Sequence, residues 1–331
     1  MAEPAPLRRA LFRSVGVVFF IVATLVGFEL LCRVYAAYVV FPELERARLA
    51  PLHFYQKSDN PVLGYELRPH FELEHEGRKL HINRYGLRES DDDLAPHHRR
   101  IALLGDSVLF AVGLSQENTL GARIQDNLDA EGDAVRVLNF GVPGYAFAQV
   151  EENLRVKNEI YDVSDAVYLL NLNDYSRRNS IYEGADNGLY RTYHRPSLLA
   201  PWFIRKAIYR YAKGSQWGDA DWYRWFFDGN EAYGYASLDR MIDYTRSQGI
   251  AFSVVLVPAG AAYIDDEYAL ADLHDQIEAY LVDRGIRVLN PVNEFLLRRE
   301  DLIDETDHLH QPGIDLMGNL VAEFIEQGGK L

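Results

Sequence analysis

The sequence is poor in cysteine and in positive charge, and each shortage excludes a class of protein. Cys32 is the only cysteine among 331 residues, so no intrachain disulfide can form and the fold must rely on its own core. Lysine and arginine number 34 against 49 aspartate and glutamate, which gives a formal net charge of −15. A surface of this sign repels nucleic acid phosphates, so we expect no DNA or RNA partner.

Clustered metal ligands are also scarce. The string Asp307-His308-Leu309-His310 carries three candidate ligand side chains, but no further ligand clusters with it elsewhere in the sequence. Zinc sites in proteins take three or four protein ligands from well-spaced motifs. We therefore predict no metal site and no cofactor.

A long hydrophobic run near the N-terminus predicts a membrane anchor. The run from Val15 to Phe28 is uncharged and continues to Phe41, interrupted by Glu29 and Arg33. These two lie one helical turn apart and can neutralise each other. Because a bilayer is spanned by roughly 20 helical residues, the stretch 14–41 is long enough for a single-pass transmembrane helix.

The charges beside this run predict its orientation. Arg8, Arg9 and Arg13 precede it, which places residues 1–13 in the cytoplasm and the bulk of the chain on the periplasmic side of the inner membrane. A cleaved signal peptide, with Ala36-Ala37 near the cleavage site, is the alternative. We favour the uncleaved anchor because the run is long and no clean small-x-small site ends it.

The rest of the chain has the pattern of an α/β domain. Residues 42–98 are polar with short alternating stretches and predict a stalk or hairpin lead-in. From residue 99 to 331, apolar strand-like runs alternate with amphipathic helical segments; the runs are 101–104, 135–138, 166–170, 252–257 and 286–289. This alternation indicates a doubly wound parallel sheet, in which reactive residues gather at the carboxyl ends of the strands.

One segment, about residues 176–230, interrupts this rhythm and is rich in aromatic residues. The simplest interpretation is an insertion that packs a satellite core of its own. The alternatives are a lid that shapes the site or a surface that lies against the membrane. Its basic residues would suit anionic headgroups or an acidic glycan; they are Arg205, Lys206, Arg210 and Lys213.

Four short blocks carry the candidate chemistry. The first is Gly105-Asp106-Ser107, directly after an apolar strand, where a tight turn would expose the serine as a nucleophile. The second, Asn139 to Gly144, supplies glycines that let a backbone N–H approach an oxyanion. The third, Asn171 to Asp174, offers the Asn173 amide as a further donor. Each block alone is also an ordinary strand-to-helix turn.

The fourth block, Asp304 to His310, precedes the closing helix and carries a candidate base. An aspartate three residues before a histidine can hold the tautomer of the imidazole, as a hydrolytic triad requires. Asp307 and His310 have this spacing, and so do Glu305 and His308. We favour Asp307 and His310 as the pair and keep Glu305 and His308 as the rival.

Taken in this order, the blocks resemble those of the SGNH or GDSL hydrolase superfamily, which supply a serine, a glycine, an asparagine and an Asp-x-x-His pair. The resemblance covers about residue 99 to the C-terminus, and the segments 60–65 and 83–88 look like the lead-in of membrane-anchored bacterial members. It implies a flavodoxin-like three-layer α/β/α sandwich. It also implies a Ser107 nucleophile and an oxyanion hole formed by the N–H groups of Ser107 and Gly144 and the amide of Asn173.

The sequence departs from the family pattern at two places. The third block usually begins with glycine, where this chain has Asn171, which alters the turn without removing Asn173. In many members, the number of residues between the histidine and the following glycine is closer to the separation of His308 from Gly313 than to that of His310 from Gly313. For this reason the rival pair stays open.

The resemblance and the anchor together predict a serine esterase or deacetylase. Its expected substrate is an extracytoplasmic polysaccharide or other envelope glycan that carries small acyl groups, acetyl in particular. One alternative is an O-acyltransferase of exopolysaccharide that uses the same triad with partners of polysaccharide synthesis. Another is a non-catalytic glycan-binding protein of the same fold.

Overall fold

The computed structural model describes residues 6–48, 53–75, 77–89, 99–111, 113–131, 135–176, 196–213, 220–264, 266–296, 299–304 and 307–328. The chain divides into two compact units. Unit 1 comprises Met1–His53 with Gly188–Gly214, and unit 2 comprises Phe54–Asn187 with Ser215–Leu331.

Helices and strands follow one another along the chain in an α/β pattern. The helices are α1 (Pro6–Tyr35), α2 (Phe41–Arg48), α3 (Ser107–Phe110), α4 (Leu120–Glu131), α5 (Phe147–Tyr161), α6 (Leu199–Lys213), α7 (Ala220–Gln248), α8 (Ala271–Val282), α9 (Val292–Leu296), α10 (Arg299–Leu302) and α11 (Gln311–Gly328). The strands are β1 (Tyr55–Lys57), β2 (Tyr65–Leu67), β3 (Phe71–His75), β4 (Arg78–Ile82), β5 (Arg99–Leu104), β6 (Val135–Asn139), β7 (Asp165–Leu170), β8 (Ala251–Leu256), β9 (Tyr263–Ile264), β10 (Glu267–Tyr268) and β11 (Arg287–Leu289). A π-helical turn covers Ala36–Val40, and short 3₁₀ turns cover Gln116–Asn118, Leu172–Tyr175 and Gly260–Ala262.

Unit 2 is built on a five-stranded sheet in the order β11-β8-β7-β5-β6, and every neighbouring pair is parallel. Numbered along the chain, these strands have the order 2-1-3-4-5, which is the flavodoxin-like arrangement. The central strands are apolar because helices flank the sheet: Ile101 to Leu104 and Ala166 to Leu170 are buried throughout. The predicted α/β fold with a parallel sheet is confirmed.

The lead-in segment is folded into unit 2 through two small antiparallel pairs, β1 with β2 and β3 with β4. Arg88 just after them is only 1% exposed. Its guanidinium donates to the carbonyl oxygens of Phe110, of Ala111 at 2.7 Å and of Leu114 at 2.5 Å. Arg88 thereby satisfies the carbonyl groups at the end of α3, which a four-residue helix cannot satisfy itself.

The aromatic-rich insertion is divided between the two units. Residues 177–195 and 214–219 of it lie outside the described part of the chain. Helix α6 belongs to unit 1, whereas α7 belongs to unit 2. The first turns of α7 contribute buried aromatic side chains to unit 2; they are Trp222, Tyr223, Phe226 and Phe227.

Unit 1 contains a helix that is long and apolar enough to cross a membrane. It runs over Phe12–Glu43, 32 residues, through α1, the π-helical turn and the start of α2. Only 6% of its most apolar window is buried. This exposure distinguishes it from the core helix of a globular domain, while a membrane span and a signal sequence both fit it.

Candidate active site

The first block forms a capped turn at the carboxyl end of β5. Gly105 leaves the strand where a Cβ atom would lie 3.2 Å from the Leu109 Cβ, so the turn has little room for a side chain. Asp106 then caps α3, because its Oδ1 accepts a hydrogen bond of 3.0 Å from the Val108 N–H. Ser107 is therefore the first residue of α3 and is half-buried at the edge of the sheet.

A histidine of the terminal loop reaches this serine. The His308 Nε2 lies 3.1 Å from the Ser107 Oγ, a hydrogen-bonding distance between residues 201 positions apart. Ser107 follows β5 and the third block follows β7, so the pair lies where the strand order reverses. Ligands of doubly wound sheets bind at such switch points.

The structure brings the rival histidine, His308, to Ser107, whereas no described contact joins the favoured His310 to it. Ile303 and Leu309 form an antiparallel bridge across this loop. Leu309 is buried and His310 is exposed. The His310 backbone starts α11 instead, since its carbonyl accepts from the Ile314 N–H at 2.9 Å.

The terminal loop is held in shape by hydrogen bonds between Asp304 and His308 and by close packing at Gly313. The His308 N–H donates to the Asp304 Oδ1 at 3.1 Å, and the Asp304 N–H donates to the His308 carbonyl at 2.9 Å. At the start of α11, a Cβ on Gly313 would lie 1.9 Å from the Leu302 carbonyl oxygen, which only glycine allows. These contacts fix the position of the imidazole.

Two carboxylates lie near the second nitrogen of this imidazole. The Asp307 Oδ1 is 3.4 Å from the His308 Nδ1, and the Asp304 Oδ2 is 3.6 Å from it. The Asp307 side chain is 6% exposed and the Asp304 side chain 40% exposed, so the electrostatic interaction with Asp307 is the less screened one. Glu305, the carboxylate of the rival pair, lies outside the described residues.

Asp307 is fixed by three donors that converge on its other oxygen. Its Oδ2 accepts from the Asn171 Nδ2 at 2.5 Å, from the Tyr223 hydroxyl at 2.9 Å and from the Asn173 Nδ2 at 3.3 Å. Because these donors share Oδ2, Oδ1 is the oxygen that faces His308. A buried carboxylate with this many donors is held in one orientation.

Two of these donors, Asn171 and Tyr223, are not predicted by the sequence. Asn171 has a visible signal, since it replaces the glycine that usually begins the third block, but its contact with Asp307 depends on the fold. Tyr223 comes from α7, 84 positions before Asp307 in the chain, and no local pattern distinguishes it from the other aromatic residues of the insertion.

The third block positions Asn173 through a reciprocal cap. The Asn171 Oδ1 accepts from the Asn173 N–H at 3.2 Å, and the Asp174 Oδ2 accepts from the Asn171 N–H at 3.0 Å. Tyr168 donates its hydroxyl to the same Asp174 oxygen at 2.8 Å. Burial raises the pKa of Asp174 well above its ordinary value, with the nearby charge of Asp106 acting in the same direction.

The Asn173 amide links two buried carboxylates beneath the serine and histidine. Its Nδ2 lies 3.2 Å from the Asp106 Oδ2 and 3.3 Å from the Asp307 Oδ2. Burial, followed by the charge of Asp307, raises the pKa of Asp106 to about 6. To donate to an oxyanion, Asn173 must exchange one of these contacts for the substrate oxygen, so that role stays a prediction.

The second block packs against α3 through Asn139. The Asn139 Nδ2 donates to the Leu109 carbonyl at 3.1 Å, and its Oδ1 accepts from the Gly141 N–H at 2.9 Å. Gly144 lies further along this loop with φ +80° and is exposed. Among the described contacts no hydrogen bond joins Gly144 to Ser107, and its role as an oxyanion donor also stays a prediction.

Fold and site together define a class. It is a doubly wound α/β protein with a serine and a histidine paired at the switch point, as the resemblance to the SGNH superfamily implies. Among the described residues, no group of three or more His, Cys, Asp or Glu side chains is arranged to hold a metal ion.

Comparison with known proteins finds matches among solved structures alone. No family model and no curated protein sequence matches this chain. It is similar to the esterase EstA from Pseudoalteromonas sp., at 13% identity over 70% of this chain and 100% of that one, with a TM-score of 0.44. It is also similar to a lipase/acylhydrolase from Enterococcus faecalis, at 15% identity over 69% and 96%, with a TM-score of 0.45. A GDSL-like lipase from Bacteroides thetaiotaomicron gives 15% identity over 70% and 89%, with a TM-score of 0.41.

Proposed function

We propose that this chain is a serine esterase that cleaves small acyl esters through an acyl-enzyme intermediate. The distance of 3.1 Å between the His308 Nε2 and the Ser107 Oγ is the observation that carries this proposal. Serine becomes a competent nucleophile when an adjacent base takes its proton during attack. The buried Asp307, placed behind the imidazole, supports the same assignment.

In the first half of the reaction, the Ser107 oxygen attacks the ester carbonyl while His308 takes the hydroxyl proton. Asp307 orients the imidazole and stabilises its positive charge. The oxyanion of the tetrahedral intermediate would be met by the N–H groups of Ser107 and Gly144 and by the Asn173 amide. His308 then gives its proton to the leaving alcohol, and the carbon–oxygen bond breaks.

The second half repeats these steps with water. His308 takes a proton from a water molecule, the hydroxide adds to the acyl-enzyme carbonyl, and the acid leaves as the Ser107 oxygen recovers its proton. If a sugar hydroxyl replaced water, the same residues would catalyse acyl transfer. The buried contacts of Asp307 with Tyr223 and Asn171 would maintain the geometry through both halves.

We further propose that the Phe12–Glu43 helix anchors the esterase in the inner membrane, with the basic N-terminus in the cytoplasm. A catalytic unit tethered there would act in the periplasm, where acetylated envelope polysaccharide is the substrate class within reach. The length and exposure of the helix support the anchor.

The test uses the full-length chain in detergent with p-nitrophenyl acetate and with an acetylated polysaccharide. We expect release of p-nitrophenol and of acetate by the wild type and loss of both in Ser107→Ala. Equal, slow release by the two proteins would refute the esterase. Acylated oligosaccharide, detected by mass spectrometry when an acceptor is added, would assign the chain as a transferase instead.

A further inference from the structure

Helix α6 exposes apolar side chains in an unusual concentration. Outside residues 12–39, six of the described large hydrophobic side chains are exposed, and three of them lie within eleven positions on or beside α6. These are Leu198 at 59%, Ile204 at 46% and Ile208 at 60%. Clustered exposed apolar surface marks a contact with a partner or a membrane.

The charge of the same helix is opposite to that of the protein. From Leu199 to Lys213 the sequence contains four basic residues and no acidic residue, in a chain whose formal net charge is −15. A helix that combines exposed apolar side chains with lysine and arginine has the composition of helices that lie in the interface of anionic bilayers.

Glu29 of α1 holds the beginning of α6. Its Oε2 accepts hydrogen bonds from the backbone N–H groups of Leu199 at 3.0 Å and Ala200 at 2.7 Å. These N–H groups have no partner within their own helix, and a carboxylate near a helix N-terminus is favoured by the helix dipole. Arg33 completes the contact, since it binds Glu29 at 2.7 Å and the Ser197 carbonyl at 2.6 Å.

Apolar packing surrounds this polar contact within unit 1. Cys32 and Ala36 of the long helix form a buried cluster with Leu199 and Ala200. The rings of Tyr35 and Phe203 meet edge to face with their centroids 5.6 Å apart. The first turn of α6 is therefore fixed to α1 both by hydrogen bonds and by side-chain packing.

The position of the Glu29 and Arg33 contact along α1 fits the boundary of a bilayer. Arg13 and Arg33 are separated by 20 positions, which at a rise of ~1.5 Å per residue is about 30 Å of helix. The hydrocarbon core of a bilayer is also about 30 Å thick. With Arg13 at one boundary, Arg33 lies at the other, and α6 begins at that level.

We propose that α6 lies in the outer interface of an anionic lipid bilayer, docked on the anchor by Glu29. Ile204 and Ile208 face the acyl chains, and the positive charge that the sequence of the helix carries favours the anionic headgroups. The proposal rests on the proposed membrane anchor and adds a second, laterally extended contact to it. It also gives Glu29 a function at a depth where an unpaired carboxylate is costly.

The test places spin labels on full-length protein reconstituted into vesicles of phosphatidylethanolamine and phosphatidylglycerol. Single cysteines are introduced in a Cys32→Ala background at Ile204 and Ile208, at Phe20 in the anchor and at Glu159, which is exposed on α5. The accessibility of each label to oxygen and to a water-soluble nickel chelate reports its depth.

We expect labels at Ile204 and Ile208 to be accessible to oxygen and protected from nickel, with a shallower depth than Phe20, while Glu159 reads as aqueous. Aqueous values at Ile204 and Ile208 with a membrane-buried Phe20 would overturn the proposal and leave the anchor standing. An aqueous Phe20 would overturn the anchor and this proposal together.

The Glu29 contact is tested separately with the label at Ile208. Glu29→Ala removes the acceptor for two backbone N–H groups, so we expect the label to become more mobile and its depth to be less uniform. Leu31→Ala, a truncation of an exposed side chain of the same helix, is the matched control and should leave the spectrum unchanged. Equal spectra for both variants would contradict the role assigned to Glu29.

Discussion

The two aspartate and histidine pairs of the terminal loop, Asp307 with His308 and Asp304 with His310, differ in their surroundings. Asp307 is 4% exposed, and His308 lies 3.1 Å from the Ser107 oxygen. The Asp304 side chain is 40% exposed, and His310 is exposed. The difference teaches that packing, more than residue type or motif spacing, decides which aspartate and histidine can act on the serine.

The histidines test this comparison with the largest expected effect. His308→Ala removes the base and should lower kcat for p-nitrophenyl acetate by about 10²–10⁴-fold. His310→Ala removes an exposed side chain and should leave kcat close to the wild-type value. Steady-state kinetics on both variants provide the measurement. A larger loss of kcat in His310→Ala would make His310 the base instead of His308.

The aspartates should show a smaller contrast of the same kind. Asp307→Asn removes the charge behind the imidazole, and we expect kcat to fall by about 10²-fold or more. Asp304→Asn removes a carboxylate that is half exposed to solvent, so its electrostatic effect is screened and the loss should stay below about tenfold. Similar losses in both variants would mean that the two carboxylates share the orienting role.

Tyr223→Phe tests the surroundings of Asp307 more finely, because it deletes only the hydroxyl that donates to Asp307. A hydrogen bond to a charged group contributes roughly 1.5–3 kcal/mol, and we expect kcat/KM to fall by about tenfold. Loss of this donor leaves the carboxylate less firmly oriented behind the imidazole, which affects the chemical step and not ground-state binding of the ester. The loss should therefore appear in kcat, with KM close to the wild-type value.

The matched control for this variant is Tyr263→Phe. It deletes another buried hydroxyl of unit 2, which donates to the Val292 carbonyl at 2.9 Å. A purely structural effect of hydroxyl deletion would appear as lower stability in both variants. A fall in kcat at unchanged KM in Tyr223→Phe alone supports the positioning role, whereas equal kcat values in the two variants would contradict it.

Asp106 gives the smallest effect, on stability rather than on rate. Burial raises its pKa to about 6 from the ordinary 3.8, so the folded state binds the proton more tightly than the unfolded state. This contribution is present below about pH 4 and is lost as the pH rises to about 6, by roughly 3 kcal/mol at most. Asp106→Asn does not titrate, so its stability relative to the wild type should increase over this interval.

Thermal unfolding at pH 4, 5, 6 and 7 in the same detergent checks this expectation. The Tm difference between Asp106→Asn and the wild type should grow from pH 4 to pH 6 and then stay constant. A difference that does not depend on pH would show that the carboxyl of Asp106 is already ionised at pH 4 in the folded protein.

The sheet and the position of the nucleophile could be predicted from the sequence because both depend on local patterns. Apolar runs such as 101–104 and 166–170 are buried strands, and a Gly-Asp-Ser turn at the end of one places Ser107 at the sheet edge. The choice between His308 and His310 could not be predicted, since both satisfy the spacing and only the fold brings the His308 Nε2 to the Ser107 Oγ.

Contacts across the fold were harder still to foresee. Tyr223 lies in an insertion whose aromatic residues look alike in sequence, and only the packing of α7 brings its hydroxyl to Asp307. Asn171 was predicted to alter the turn, and it does cap that turn. Its amide also donates to Asp307, a long-range contact for which the sequence has no periodic signal.

Covalent labelling of the serine tests the central claim most directly. Full-length wild type, His310→Ala, His308→Ala and Ser107→Ala are incubated with a fluorophosphonate, and the mass of the intact protein is followed over time. We predict one adduct, on Ser107, at similar rates in the wild type and His310→Ala. We predict labelling about 100-fold slower in His308→Ala and none in Ser107→Ala. Equal rates in His308→Ala and the wild type would contradict activation of Ser107 by His308.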